Sequence, residues 1–386
     1  MIRQLLIKAL EELPLLDDRY ESIKCININA AGEKLGYFSL VFKCFDRIEQ
    51  RPVVLKFFDP DQLGQAYRID CFKREPQILK TLVSKTRCLQ LLRGLKEFKF
   101  QIPGSPVELT FEYFVLEWLS EGVEHYFKRQ QQYDAETKLR LFADVVLAIE
   151  LLHQNNVFHR DGKPDNFRAY QEELKRIVVA IDLGTAARYE TGALRADYSA
   201  LPAGAISYSA PEAICGLAGV RNLAKYTDSY ALGCMLYELF NVDLFGTRVH
   251  SNGVYRAVLA FLNHEVGKGH DDSERATIWL NKATQFRHSI EWPGIDDSDS
   301  TVPVSISTEL NQVLRKLIAF DLQERTVDYT WVRQRIWGAI TVLNNAKAQA
   351  NRIERKRRER EARLEKARRK DERVRKLGEQ GRLGIC

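Results

Sequence analysis

The stretch that decides the fold is His159-Arg160-Asp161-Gly162-Lys163-Pro164-Asp165-Asn166. Taken alone it reads as a polar surface turn. Its neighbours give it weight. Upstream, Asp134 is placed to cap a helix whose apolar stripe is Phe142, Val145, Val146, Ile149 and Leu152. Downstream, the strand-like apolar run Ile177–Ile181 leads into Asp182-Leu183-Gly184. A lone D-x-G is only a turn, but its distance from Asn166 adds weight to reading Asp182 as a hard carboxylate oxygen able to hold a cation.

Further out, the first third of the chain is strand-rich. Cys25 to Leu55 includes Phe38-Ser39-Leu40-Val41-Phe42 and Pro52-Val53-Val54-Leu55 with a polar turn between them. A helical stretch is expected around 64–83, then strands at Cys88–Leu92 and Leu109–Leu116. Beyond these the pattern is mainly helical. A strand-rich beginning followed by a helix-rich remainder predicts an α+β architecture with two lobes. Residues 2 to about 13 predict a short amphipathic helix with Ile2, Leu5, Leu6, Ala9 and Leu10 on one face and Pro14 beyond its end.

At 386 residues, 45% hydrophobic and 28% charged, the chain has the profile of a soluble globular protein. No apolar run approaches membrane-spanning length, and the N-terminus, interrupted by Lys8, Glu11 and Glu12, does not read as a secretory signal. Seven scattered cysteines suggest reduced thiols and a cytoplasmic location. The net charge of +6 is unevenly spread. Residues 351–382 hold 15 Lys/Arg against 7 Asp/Glu, leaving 43 against 45 elsewhere. This tail carries acid-to-base pairs at i, i+4: Glu354/Arg358, Glu359/Arg363, Glu365/Arg369 and Glu372/Lys376. They predict a solvated charged helix with too few apolar residues for a coiled-coil seam.

The 159–166 segment resembles the catalytic loop of eukaryotic-type protein kinases, H-R-D-x-K-x-x-N. The resemblance runs in order over roughly residues 23–340. It implies a bilobal kinase fold with a small strand-rich N-lobe (23–119) and a larger helical C-lobe (120–340). An N-terminal helical extension (1–22) and a basic tail (341–386) would flank them. It implies ATP with Mg²⁺ or Mn²⁺ as cofactors and proteins as substrates. Asp161 would take the proton of the substrate hydroxyl, Lys163 would neutralise charge on the moving phosphoryl group, and Asn166 and Asp182 would hold metal. A Lys two residues after the Asp is the serine/threonine form of the loop. Lys56, closing Val53-Val54-Leu55-Lys56, would meet the α/β-phosphates and pair with Glu75 from the following helix. Pro76 is expected to start or kink that helix near Glu75. In Phe114-Val115-Leu116-Glu117-Trp118-Leu119 the Glu117 carbonyl and the Leu119 N–H would meet the adenine edge, with Leu116 as gatekeeper. Ala210-Pro211-Glu212, the Asp228–Gly233 segment and Arg325 would complete the C-lobe in structural roles. The A-P-E segment also separates this pattern from most small-molecule kinases.

Several positions depart from the family pattern. The G-x-G-x-x-G-x-V register, counted back from Val41, places Lys34, Gly36 and Ser39 at the glycine positions, and only Gly36 matches. Gly36, Ser39, Val41 and Val54 would still line the nucleotide. Arg168 stands where an apolar residue under the adenine is usual, and Ala205 replaces a Thr near the catalytic Asp and Lys. The segment between Asp182 and Glu212 offers Thr191, Tyr198, Ser199 and Ser207 for phosphorylation, with Arg160 as the residue that would receive the phosphate. The expected function is an ATP-dependent serine/threonine protein kinase, set against a pseudokinase scaffold. The tail, 346–386, is read as a solvated arm or as a contact for nucleic acid or another anionic partner.

Overall fold

A computed structural model describes residues 2–28, 33–34, 39–102, 104–173, 175–190, 204–295 and 301–382, with side chains through 371. Helix α1 (Ile2–Glu12) precedes strands β1 (Tyr20–Cys25), β2 (Ser39–Asp46) and β3 (Arg51–Phe58). Then come α2 (Ala66–Thr81), β4 (Leu91–Gln101) and β5 (Glu108–Glu117). The five strands form one antiparallel sheet in the order β1-β2-β3-β5-β4.

The pleat of β3 explains the layering. Successive side chains of a strand point to opposite faces. Val53, Leu55 and Phe57 pack on the side covered by α1, with Leu6, Ile7, Leu10, Leu40 and Phe42. Val54 and Phe58 face the other side, with Phe72 of α2 and Phe114. Lys56 shares the parity of Val54 and Phe58, so the pleat aims it at α2. The buried face of α1 includes Ile7, while Ile2 is exposed, so the apolar face is rotated slightly from the one expected. Arg3 fixes α1 to the end of β3 with a two-pronged contact, Nε to Asp59 Oδ1 at 3.0 Å and Nη2 to Oδ2 at 2.9 Å. Lys34 pairs with the same buried Asp59 carboxylate.

Two local expectations are corrected. Helix α2 runs unbroken through Pro76. The helix keeps Cys71, Phe72, Glu75, Pro76, Ile78 and Leu79 buried, and this packing outweighs the backbone hydrogen bond that proline removes. Strand β4 begins at Leu91 and continues to Gln101, where the polar run hid it; Cys88 makes only an isolated bridge to Ala180.

The second lobe follows: β6 (Glu121–Gly122), α3 (Glu124–Lys128), α4 (Ala135–Gln154), β7 (Val157–Phe158), β8 (Phe167–Glu172), β9 (Lys175–Ala180) and β10 (Ala187–Arg188). The remaining helices are α5 (Pro211–Ile214), α6 (Ala224–Glu238), α7 (Phe245–Ser251), α8 (Gly253–Val266), α9 (Asp272–Ala283), α10 (Val304–Ile318) and α11 (Tyr329–Arg382). Asp134 caps α4 by accepting from the Thr137 N–H at 2.8 Å. Nearly every residue of α6 is buried, which makes it the central post of this lobe. Helix α11 buries Tyr329, Val332, Ile336, Ala339 and Ile340 and then leaves the body; every residue from 344 to 371 is exposed. It is one continuous helix across position 340. Among the described residues no helix is long and apolar enough to cross a membrane.

The lobe is locked by Arg325, whose Nη1 donates to Glu212 Oε1 at 2.6 Å with both side chains fully buried. The same guanidinium donates from Nε to the Ala319 carbonyl at 2.7 Å. Arg325→Ala would leave the Glu212 carboxylate buried without its cation, which typically costs about 3–5 kcal/mol. We expect the urea-unfolding free energy to fall by that order. The double variant Arg325→Met/Glu212→Leu should regain part of the loss, because no charge then remains buried. A single variant as stable as the parent would show that the pair does not brace the lobe.

Candidate active site

A cleft of about 410 Å³ lies between the lobes. Its apolar walls are Ile26, Val41, Val54, Leu89, Leu116 and Ile181, and its far edge is Glu117-Trp118-Leu119. At its inner end Lys56 Nζ donates to Glu75 Oε2 at 2.6 Å and to Asp182 Oδ1 at 3.0 Å. Lys56 and Glu75 are buried, whereas the Asp182 side chain is 34% exposed and faces the opening. Burial works against the Lys56 charge, but Asp182 and Glu75 overcome it and raise its pKa. Burial likewise pushes the Asp182 carboxyl up, and the Lys56 ammonium reverses this, holding it below its ordinary value. Asp182 adopts a left-handed backbone conformation, φ 62°, while Leu183 is fully buried behind it.

The 159–166 loop is held from beneath by Asp228 of α6. Its Oδ2 accepts from the His159 N–H and its Oδ1 from the Arg160 N–H, both at 2.7 Å. His159 Nε2 contacts the Ile181 carbonyl at 2.9 Å, which ties the loop to the strand leading into Asp182. Asp161, 9% exposed, is the convergence point. Its Oδ2 accepts from Asn166 Nδ2 at 2.9 Å and lies 3.1 Å from Lys163 Nζ. Its Oδ1 accepts from the Ala205 N–H at 3.0 Å. The Thr expected at 205 is therefore replaced, for Asp161, by a backbone donor. Burial opposes the Lys163 charge, and Asp161 outweighs it and raises the lysine's pKa.

The structure thus brings together Lys56, Glu75, Asp161, Lys163, Asn166 and Asp182, with Ser39, Val41, Val54, Glu117 and Leu119 along the same cleft. Gly36 lies outside the described residues, as do Thr191, Tyr198 and Ser199. Lys34, at the first glycine position, is drawn to Asp59. Arg168 does line the cleft, but its Nε donates to the Leu119 carbonyl at 3.0 Å. Its guanidinium and the Lys43 ammonium sit over the Trp118 ring, at 5.6 and 4.5 Å from the centroid. The edge of the cleft is thereby fastened by cations rather than by an apolar floor.

The donor set fits Mg·ATP. The Asn166 Nδ2 is committed to Asp161, at 2.7 Å to its carbonyl and 2.9 Å to its carboxylate, which leaves the side-chain Oδ1 of Asn166 to serve a cation. With the Asp182 carboxylate it makes two hard oxygens. Mg²⁺ characteristically takes one or two protein oxygens and completes its shell with phosphate and water.

Two contributors went unread in the sequence. Asn27 ends the β1–β2 ladder by imitating backbone: Oδ1 accepts from the Val41 N–H and Nδ2 donates to the Ser39 carbonyl, both at 2.9 Å. Gly204 approaches Asp161 so closely that a Cβ there would stand 2.6 Å from Asp161 Oδ1 and 3.0 Å from the Arg160 carbonyl. The sequence signal was the glycine itself, beside a residue already placed near Asp161. Gly204→Ala would have to push the Asp161 carboxylate off its Ala205 donor. A displacement of that order costs about 10²-fold in rate. We expect kcat to fall at least tenfold with the thermal midpoint and nucleotide affinity little changed; a full kcat would show that Gly204 does not set the Asp161 position.

The comparisons with known proteins agree with this geometry. The model of the family described as "Protein kinase domain" matches residues 31–335. Calcium-dependent protein kinase 29 of Arabidopsis thaliana is 27% identical over 53% of this chain and 35% of its own length. Calcium-dependent protein kinase 9 of the same plant is 22% identical over 83% of this chain and 50% of its own. Serine/threonine-protein kinase gad8 of Schizosaccharomyces pombe is 25% identical over 61% and 37%. The matched region spans about half or less of each relative. With the family model covering most of its length, the chain belongs to the protein kinase domain family.

Proposed function

We propose that the protein transfers the γ-phosphoryl group of Mg·ATP to serine or threonine hydroxyls of other proteins. One arrangement carries this reading: Lys56 held by both Glu75 and Asp182 directly above an Asp161–Lys163–Asn166 cluster. A scaffold that binds without catalysis has no use for all six groups in register.

Bound Mg·ATP supplies the phosphoryl group and the charge screening its transfer needs. This chain's residues do the rest. Lys56 would orient the α/β-phosphates, and Asn166 and Asp182 would hold the metal. Glu117 and Leu119 would meet the adenine edge with backbone groups, Val41 and Val54 would cover its face, and Ser39 would face the phosphates; Gly36, outside the described residues, is assigned to the same loop by the resemblance alone. Asp161 takes the proton as the substrate oxygen bonds to phosphorus, and Lys163 balances charge on the transferring group. The bond from phosphorus to the bridging oxygen breaks, and ADP leaves. The lysine at 163, two residues after Asp161, favours serine and threonine over tyrosine. Six free cysteines among the described residues suit a reducing, cytoplasmic setting. We divide the chain functionally at 1–22, 23–119, 120–340 and 341–386, and we assign an anionic partner to the last segment.

Asp161→Asn should reduce incorporation of labelled phosphate into protein by 10²- to 10⁴-fold, the usual worth of a general base, with nucleotide binding retained. Excess EDTA should abolish turnover. Retained activity in Asp161→Asn would remove the residue from the reaction, and turnover in EDTA would remove the metal.

The loop following Asp182 is proposed as a phosphorylation-controlled element. Arg160 is half-buried, donates from Nη1 to the Thr185 carbonyl at 2.8 Å, and its Nε has no partner among the described residues. Burial pushes its pKa down, against the opposing pull of Tyr67, Cys71 and Asp228. A phosphate would relieve this. Complete phosphatase treatment, verified by intact mass, should lower activity on an exogenous protein; unchanged activity would show that the loop is not a switch.

A further inference from the structure

We infer that the exposed half of α11 presents a one-sided cationic rail for the phosphate backbone of double-stranded DNA. The inference deepens the assignment of an anionic partner to the tail and is independent of catalysis.

The rail emerges from which charges are neutralised within the helix. Glu354 pairs with Arg358 at 3.0 Å, Arg357 with Glu361 at 3.0 Å, Arg355 with Glu359 at 3.7 Å, and Glu365 with Arg369. Glu359 takes Arg355 rather than the expected Arg363. Between 351 and 371 the basic residues in no such pair are Arg352, Lys356, Arg360, Arg363, Lys366, Arg368 and Lys370. At 3.6 residues per turn, all of these except Arg368 fall within an arc of about 120°. They follow one another at steps of three or four residues and span about 27 Å. Glu354, Glu361 and Glu365 cluster on the far side. Glu359, the one acid within the arc, is engaged by Arg355, and Asp371 flanks the rail at its end.

The rail points away from the body of the protein. Val332, Ile336, Ala339 and Ile340 mark the side of α11 that packs on the body. Because the helix is continuous, that side prolongs into the arc that holds Glu354, Glu361 and Glu365. The rail lies on the opposite side, facing away from the kinase lobes, with every residue of it exposed.

The chemistry selects the occupant. Insertion into a membrane surface calls for an apolar face, and the large apolar residues between 351 and 371 are only Ile353 and Leu364. Their 11-residue spacing gives no seam for a partner helix. No aromatic residue is present to stack on unpaired bases. What remains is a line of guanidinium and ammonium groups on a bare helix about 10–12 Å across, which the roughly 12 Å major groove of B-DNA admits. The deep, narrow major groove of A-form RNA does not admit it. Contacts of this kind go to phosphates and carry no sequence preference.

Anisotropy of a fluorescein-labelled 20-base-pair DNA of arbitrary sequence, titrated with the full chain, tests this. Six phosphate contacts predict a slope of log K against log salt near −5, a loss of about 10³-fold between 50 and 200 mM salt. Two variants lose four positive charges each: Arg352→Gln/Lys356→Gln/Arg363→Gln/Lys370→Gln on the rail, and Arg355→Gln/Arg357→Gln/Arg358→Gln/Arg369→Gln off it. The rail variant should weaken binding at least tenfold and shed three to four units of slope, with helicity by circular dichroism unchanged. The control should shed clearly less. Equal losses in both variants would overturn the one-sided rail. No binding at 50 mM salt, or equal or tighter binding to duplex RNA, to single-stranded DNA or to phosphatidylserine vesicles, would overturn the DNA assignment. Phosphate incorporation into a general protein acceptor should be the same in both variants, so a failed kinase assay and a failed DNA titration are read separately.

Discussion

The site hangs on one buried carboxylate. Asp228 is 1% exposed, in the second turn of α6, and it accepts two backbone N–H groups of the 159–166 loop and contacts His153 Nε2 at 2.8 Å. Burial alone would raise its pKa, yet His153 and the loop donors hold it below the usual range, so it remains an anion. Arg160 sits at φ 68°, a left-handed conformation that a long side chain adopts only under external constraint. The Asp228 bonds supply that constraint. With Arg160 turned this way, its guanidinium goes under the loop to the Thr185 carbonyl, and Asp161 turns up into the cleft. The central helix of the lobe therefore sets the orientation of the chemistry above it.

Two other buried charge clusters show how similar ingredients serve different ends. Arg325 and Glu212 are fully buried, and the guanidinium also donates to the Ala319 and Tyr226 carbonyls. Such a pair is geometrically fixed and does little but hold its neighbours. Lys56 instead serves two carboxylates that differ in access: Glu75 enclosed, Asp182 a third exposed. A cation shared by an enclosed and an open anion keeps its charge while the open side stays available to a ligand. The contrast turns on solvent access.

Legibility in the sequence followed the range of the cause. The 159–166 segment was readable because its residues stand in the order of a kinase-family loop among matching neighbours, although alone they read as a polar turn. Lys56 was readable because it closes Val53-Val54-Leu55-Lys56 as a lysine closes the matching strand of the family, and the pleat of β3 then aims it at α2. The Asn27 side chain, which replaces a strand partner, and the Gly204 backbone, pressed against Asp161, were not. Both depend on a segment distant in sequence. Pro76 misled because helix propensity was weighed without the burial that overrides it. Strand β4 was underestimated for the opposite reason. Lys96, Glu97 and Lys99 read as loop, but on an edge strand such charges keep an exposed ladder from pairing with other chains.

Helix α11 joins the two halves of the molecule by its phase. Up to Ile340 one side is paid for by packing. From 344 to 371 every residue is exposed, and i, i+4 pairs worth a few tenths of a kcal/mol each must maintain it together with the favourable propensities of Arg, Glu, Lys and Ala. A helix that nucleates on the body avoids the cost of starting a free one, so the buried half templates the exposed half. Templating also transfers orientation. The residue count between the core-facing positions and the rail sets the direction the rail faces, and inserting or removing two residues near 345 would turn it by roughly 200° without altering composition. A tail that acted by charge alone would be indifferent to that change. One that must hold its cations clear of the lobes would bring them round toward the body, so the phase of α11 is as much a part of this surface as its arginines and lysines.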